Sequence, residues 1–223
     1  MAAVADGAGS APCSEAGAHM AVDAFLSTFR ELSAEDPALE SLSREKVDDW
    51  LRRLRADLAA IAEAESRPTS DFACTFLGAV LGPRRAMFVQ VGDGAIVVRD
   101  AAADGLSWVF WPQNGEFANT TNFITQDNVE DVLQFEFADR VPVELAMFSD
   151  GIERLVLEMA TRTVHSPAFR PIFDWLAKTE PPQAPTEPAP GLVAFLNSRG
   201  VNSRTDDDKT LVMATRVGMD FVV

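Results

Sequence analysis

Basic residues are scarce in this chain. Its 223 residues carry 19 lysines and arginines against 34 aspartates and glutamates, a formal charge of −15. Nucleic acid is thereby disfavoured as a partner, because phosphate contacts need clustered cations. Cysteine is scarcer. Cys13 and Cys74 are the only two, enough for one bridge at most. Such sparse use points to free thiols in a reducing cytoplasm. No apolar run approaches the ~20 residues that a membrane span needs. The start lacks the basic flank and apolar core of a secretory signal. There is no internal repeat and no EF-hand-like spacing of acids, so a structural calcium loop is not supported. What remains is 47% hydrophobic, and the length suits one compact domain over 1–223 with a large core.

One device recurs in what is present. An apolar stretch stops at a carboxylate beside glycine. Met1 to Ala5 ends in Asp6-Gly7-Ala8-Gly9. Phe88 to Val91 ends in Gly92-Asp93-Gly94, and Leu145 to Phe148 ends in Ser149-Asp150-Gly151. Asp206-Asp207-Asp208 stands just before the apolar run from Leu211 to Ala214. Acids gathered at strand ends make an oxygen-rich site for hard divalent cations. Asp before Gly is also ordinary turn chemistry. That reading suffices for Asp104-Gly105, and for Asp93 both readings stand.

Taken in order, the chain predicts two long helices first. One starts at Ser14 and is broken by Pro37. The other is capped by Ser43 and ended by Pro68, with Val47, Leu51, Leu54, Leu58 and Ile61 as its stripe. Arg52, Arg53 and Arg55 lie off the stripe and read as a solvated face. Strands follow over 72–81, 86–91, 95–99, 107–111, 119–124, 132–137 and 143–148. Gly92-Asp93-Gly94 reads as the tip of a hairpin, and Gln113-Asn114-Gly115 as the turn of a second. Gly151 opens another helix. Five prolines between Pro181 and Pro190 mark a surface loop. A short helix at 192–196 and a strand at 210–216 close the chain. Segregated runs of helices and antiparallel strands predict an α+β fold. Met1 already lies inside a buried-looking strand, where most domains have a few loose residues first. The expectation is that one or more N-terminal strands are missing.

These stretches resemble, in the right order, the motifs of the metal-dependent type 2C serine/threonine protein phosphatases, in particular a compact bacterial branch. Asp6-Gly7-Ala8-Gly9-Ser10 is similar to the first Asp-Gly motif, and Ala73-Cys74-Thr75 to a small-small-Thr strand. Val91-Gly92-Asp93-Gly94 resembles the Gly-Asp motif. Gly115 to Thr121 resembles the branch's turn-and-strand signature. Phe148 to Ile152 resembles the second Asp-Gly motif, and Asp207-Asp208-Lys209-Thr210 the closing one.

The resemblance implies a four-layer α/β/β/α sandwich of two antiparallel sheets flanked by helices. It implies two Mn2+ or Mg2+ ions, with Asp6 bridging them, the Gly7 carbonyl on one, and Asp150 and Asp207 each on the other. Asp93 is a possible ligand of an auxiliary ion, although the second position for that ion is Arg154, with Glu153 beside it. It implies that a metal-bridged water hydrolyses phosphoserine or phosphothreonine in line, with no further catalytic side chain. The partners it implies are a phosphorylated protein substrate and a cognate Ser/Thr kinase. The family's phosphate-gripping arginine has no match in Arg84 or Arg85. Ala8 stands where many relatives have histidine, and His19 and His165 lie in no matched motif. The alternative reading is a non-catalytic pseudophosphatase or truncated metal-binding interaction module.

Overall fold

The structure is a computed structural model that describes residues 1–113, 121–179 and 189–216. The chain begins with strand β1 (Ala2–Val4). Two long helices follow, α1 (Ser14–Glu35) and α2 (Arg44–Ala64), then strands β2 (Phe76–Leu81), β3 (Ala86–Val91), β4 (Ala95–Arg99) and β5 (Ser107–Phe110). A single-turn helix α3 (Val129–Val132) precedes β6 (Gln134–Ala138) and β7 (Glu144–Phe148). After β7 come α4 (Asp150–Val156), the short strands β8 (Leu157–Glu158) and β9 (Thr163–Val164), and α5 (Arg170–Leu176). Helices α6 (Pro190–Leu196) and α7 (Arg199–Asn202) lead to β10 (Leu211–Thr215).

Two four-stranded sheets result, in the orders β1-β2-β3-β6 and β10-β7-β4-β5, with every pairing antiparallel. The period-2 alternation of a strand decides which face each residue serves. In β7, Leu145 and Met147 face the other sheet, while Ala146 and Phe148 face outward. Leu77, Ala79, Phe88 and Ile96 fill the space between the sheets with them. Outside the first sheet lie α1 and α2. Phe25 and Phe29 of α1 and Trp50 of α2 pack there on Phe76, with ring centroids of the closest pairs 4.6–5.3 Å apart. Outside the second sheet, Ile152, Val156, Phe169 and Phe173 cover Ala95, Val97 and Phe148. The layers are therefore α/β/β/α, as the resemblance implies. No helix among the described residues is long and apolar enough to cross a membrane, and Cys13 and Cys74 are free thiols.

Several local readings change. Gly92-Asp93-Gly94 is not a hairpin tip, since β3 pairs with β2 and β6 while β4 pairs with β5 and β7. It is the crossing from one sheet to the other. The hairpin lies earlier, where the Gly82 N–H donates to the Arg85 carbonyl (2.8 Å). The 72–81 strand begins only at Phe76, after a 3-10 turn over 69–72, and 121–124 is irregular. The 132–137 strand begins at Gln134, because Val129–Val132 coils into one helical turn. Arg55 is not simply solvated: its guanidinium donates to the Ile124 and Gln126 carbonyls (2.8 and 2.6 Å) and pins that irregular stretch to α2. The Asn114-Gly115 turn, the signature from Gly115 to Thr120 and prolines 181–188 lie outside the described residues.

Candidate metal centre

Asp6 leaves the end of β1, and its backbone is held from both sides by one residue. The Asp6 N–H donates to Thr75 Oγ1 (3.2 Å), and the Thr75 N–H donates to the Asp6 carbonyl (2.8 Å). Gly7 then bridges Cys74 as an extended pair, and the Ala8 N–H donates to the Ala73 carbonyl (2.9 Å). The threonine of the small-small-Thr motif thus fixes where Asp6 points. The thiol beside it is inert, because burial, helped by the Asp6 charge, pushes Cys74 up to about 12.

Asp93 sits on the crossing between the sheets. Gly92 there has φ +105°, the left-handed region that glycine enters without strain. The crossing is fixed by Gln113, which accepts from the Gly92 N–H (2.7 Å) through Oε1 and donates to the Gly92 carbonyl (3.1 Å) from its backbone. The buried Gln90 amide donates to the same carbonyl and to that of Trp111.

Asp150 opens α4 where β7 stops, and the corner is tied to the last loop through Ser149. The Ser149 N–H donates to the Thr210 carbonyl (3.1 Å), Ser149 Oγ accepts from the Thr210 N–H (3.1 Å), and the same hydroxyl reaches the Asp208 carbonyl (3.4 Å). Gly151 makes this approach possible. A Cβ there would lie 2.0 Å from the Asp208 carbonyl oxygen. Asp207 is brought in on that loop, exposed, with its Oδ1 accepting from the Asp208 N–H (2.9 Å).

The four acids come from four separated parts of the chain and act on one another. Burial and the charges of Asp207, Asp208 and Asp93 push Asp6 up to about 6, with the nearby Ser149 hydroxyl acting the other way. Burial, Asp93, Asp207 and Asp6 push Asp150 up to about 6. Burial, with a smaller part from the Asp207 charge, raises Asp93 against the Thr121 hydroxyl and its own backbone N–H. Like charges held together resist ionisation. An oxygen-only donor set that repels itself fits a hard divalent cation, which would neutralise it. Among the described residues no three His, Cys, Asp or Glu side chains close on a single point. Ions that keep several waters need fewer protein ligands.

Ser149 escapes the sequence reading, and Glu153 enters it only as the neighbour of Arg154. Ser149 is 2% exposed, and its only signal was a polar residue at the end of an apolar strand. Glu153 turns inward where Arg154 is exposed. Burial, Asp93 and Asp150 push Glu153 up to about 7. Its spacing of three from Asp150 puts both on one helix face, which was readable. Beside Asp6 a cleft of about 470 Å3 opens, lined in part by Gly7, Glu15, His19, Asp208 and Thr210. His165 does not line it.

Comparisons with known proteins identify the family. Residues 1–197 match the family described as protein phosphatase 2C. Serine/threonine-protein phosphatase 3 of Escherichia coli K12 is 37% identical over 212 residues, covering 95% of this chain and 81% of that protein. Among solved structures, PppA of Pseudomonas aeruginosa superposes with a TM-score of 0.61 at 17% identity, covering 96% of this chain and 85% of the other. Serine/threonine phosphatase Stp1 of Staphylococcus aureus superposes with a TM-score of 0.53 at 14% identity, covering 97% and 83%. At these identities the two structures speak for the fold.

Proposed function

From the chain's membership of the protein phosphatase 2C family, which makes it a metal-dependent protein serine/threonine phosphatase, we propose that its reaction is run by Asp6, Asp150 and Asp207 around two Mn2+ or Mg2+ ions. The Gly7 carbonyl completes the set, and Asp93 serves an auxiliary ion together with Glu153. The observation that carries this reading is the mutual repulsion of carboxylates delivered from both sheets, with Asp6 and Asp150 pushed up to about 6. When bound, the ions supply a water acidified to a nucleophile and neutralise charge on the phosphoryl group.

The chain's own residues do the positioning. Thr75 fixes the backbone of Asp6, so that its carboxylate stands at the end of β1. Ser149 locks the Asp150 corner to the loop of Asp207, so the second sheet delivers two acids as one unit. The crossing at Gly92 holds Asp93 between the sheets. A phosphoserine or phosphothreonine protein enters along the open side of this cluster, and a Ser/Thr kinase supplies it. The domain works as one unit over 1–223, in a reducing cytoplasm that suits its two free thiols. No observation favours the non-catalytic reading.

A calorimetric Mn2+ titration of the wild type and of Asp150→Asn, with phosphopeptide turnover on the same samples, tests the proposal. About two ions bound with turnover, both impaired by the substitution, are expected. Undiminished binding in Asp150→Asn removes that residue from the ligand set.

A further inference from the structure

Beyond the carboxylates, the 111–113 stretch that braces Gly92 carries a second surface. Trp111 precedes the residues bonded to Gly92, so it lies directly beside the crossing that holds Asp93. Trp108, on β5, meets Trp111 edge-on with ring centroids 5.8 Å apart, and is 40% exposed. The guanidinium of Arg162 stands over the Trp111 ring, 6.0 Å from its centroid. Arg162 is held there at a cost. It has φ +52°, an unfavourable conformation for a residue with a side chain. The Trp108 indole N–H donates to its carbonyl (2.9 Å) and pins it. Among the described residues no carboxylate pairs with Arg162. In a chain of charge −15, an exposed cation pinned by a strained backbone and an aromatic pair is a ready anchor for an anion.

We propose that Trp108, Trp111 and Arg162 form a docking patch for the substrate protein, which receives an acidic side chain flanking the phosphorylated residue. The proposal rests on the phosphatase reading. Charge complementarity selects the occupant. A substrate with a carboxylate near its phosphate meets repulsion over most of this protein and attraction at Arg162. Placement selects its position. Phe110 pairs with Ile96, three residues from Asp93, so Trp111 lies within about 10 Å of the cluster along the strand direction. With the Arg162 guanidinium a further 6.0 Å from the Trp111 ring, the reach is about three to five residues of extended peptide.

The test uses the full chain with Mn2+ and three phosphothreonine peptides that differ only in carrying Glu, Gln or Arg at the flanking positions. p-Nitrophenyl phosphate serves as a substrate without flanks. Arg162→Gly removes the guanidinium and relieves the strained backbone, so the fold is retained. It is expected to lower kcat/KM for the Glu peptide about tenfold, through KM, as for one charge-assisted contact. The Gln peptide and p-nitrophenyl phosphate should be unchanged, and Arg162→Glu should shift preference to the Arg peptide. Equal losses on all substrates would assign Arg162 to the phosphoryl group or to the fold, and overturn the proposal. No change on any would overturn it too. Tryptophan fluorescence titrations with the same peptides read binding alone. Tighter binding of the Glu peptide, lost in Arg162→Gly, supports the patch even if turnover is absent, and equal binding of all three refutes it.

Discussion

The close approach of Gly151 to the last loop gives the sharpest prediction. Replacing Gly151 with alanine would set a methyl carbon 2.0 Å from the Asp208 carbonyl oxygen. Ordinary contacts begin above 3 Å, so the two must separate by more than an ångström. Helix α4 is anchored by the buried Ile152 and Val156, so the loop moves. That motion breaks the Ser149–Thr210 pair of bonds and the weaker one to Asp208. At about 1 kcal/mol net for each sound bond, the cost is roughly 2–3 kcal/mol, similar to keeping the overlap. The melting temperature should fall by roughly 5–10 °C for a domain of this size. Asp207 moves with the loop, so the rise in melting temperature on adding Mn2+ should also be lost. Gly191→Ala is the control, because nothing lies within 4 Å of a Cβ there. It should be neutral or slightly stabilising. If Gly151→Ala melts like the control and still responds to Mn2+, the loop does not depend on that glycine and the argument fails.

Two further predictions concern charge. Glu153 has a raised folded pKa, from the usual 4.5 to about 7, so the folded state keeps a proton that the unfolded chain has lost in that window. Stability of the metal-free protein should therefore fall as pH rises from about 4.5 to 7. Glu153→Gln should flatten that slope and raise the pH 8 melting temperature by a few degrees, for about 1 kcal/mol once the partial exposure of the group is allowed for; a lower melting temperature would count against the repulsion. Glu144, 3% exposed, accepts from Arg99 (2.7 and 2.9 Å) and from Arg170 (3.1 Å). Burial works against its charge, but these bonds outweigh it and hold the carboxyl below the usual glutamate range. Glu144→Gln should cost about 2–4 kcal/mol at pH 7. A lowered folded pKa confers stability above the unfolded value near 4.5 that is lost as pH falls through the folded one. Denaturant melts should thus show the gap between variant and wild type closing in acid; a constant gap would mean that packing, not charge, is responsible.

The acids were legible because Asp6, Asp93 and Asp150 each follow a run of strand-forming residues and Asp207 stands just before one, and an apolar run meeting Asp-Gly is a local signal. The four-layer order followed from resemblance and from the segregation of helices and strands. What could not be read locally was pairing. Gly92-Asp93-Gly94 between two apolar runs has the same composition whether the second run folds back on the first or crosses to another sheet. Only the partners of β3 and β4, which lie 40 to 60 residues away in part, decide between these. Arg55 shows the same limit: its place off the apolar stripe was correct, but its bonds to Ile124 and Gln126 span about 70 positions. Ser149 was hidden because a buried hydroxyl takes its meaning from its partners, and those are on the last loop.

The crossing has a consequence for the site itself. A hairpin would have put Asp93 at the rim of one sheet, facing solvent. The crossing places it between sheet ends, where Asp6 arrives from the first sheet and Asp150 and Asp207 from the second. Acids then meet without any one sheet carrying them all. The repulsion opposes the contact between sheets at that end, while the opposite end of β7 carries an ion cluster of its own. Glu144 and its two arginines lie six residues from Asp150, about 20 Å along an extended strand. This is beyond the ~10 Å over which exposed charges act at ordinary ionic strength. The stabilising ion cluster therefore secures the second sheet and α5 without neutralising the carboxylates. The site keeps its unspent negative charge for cations.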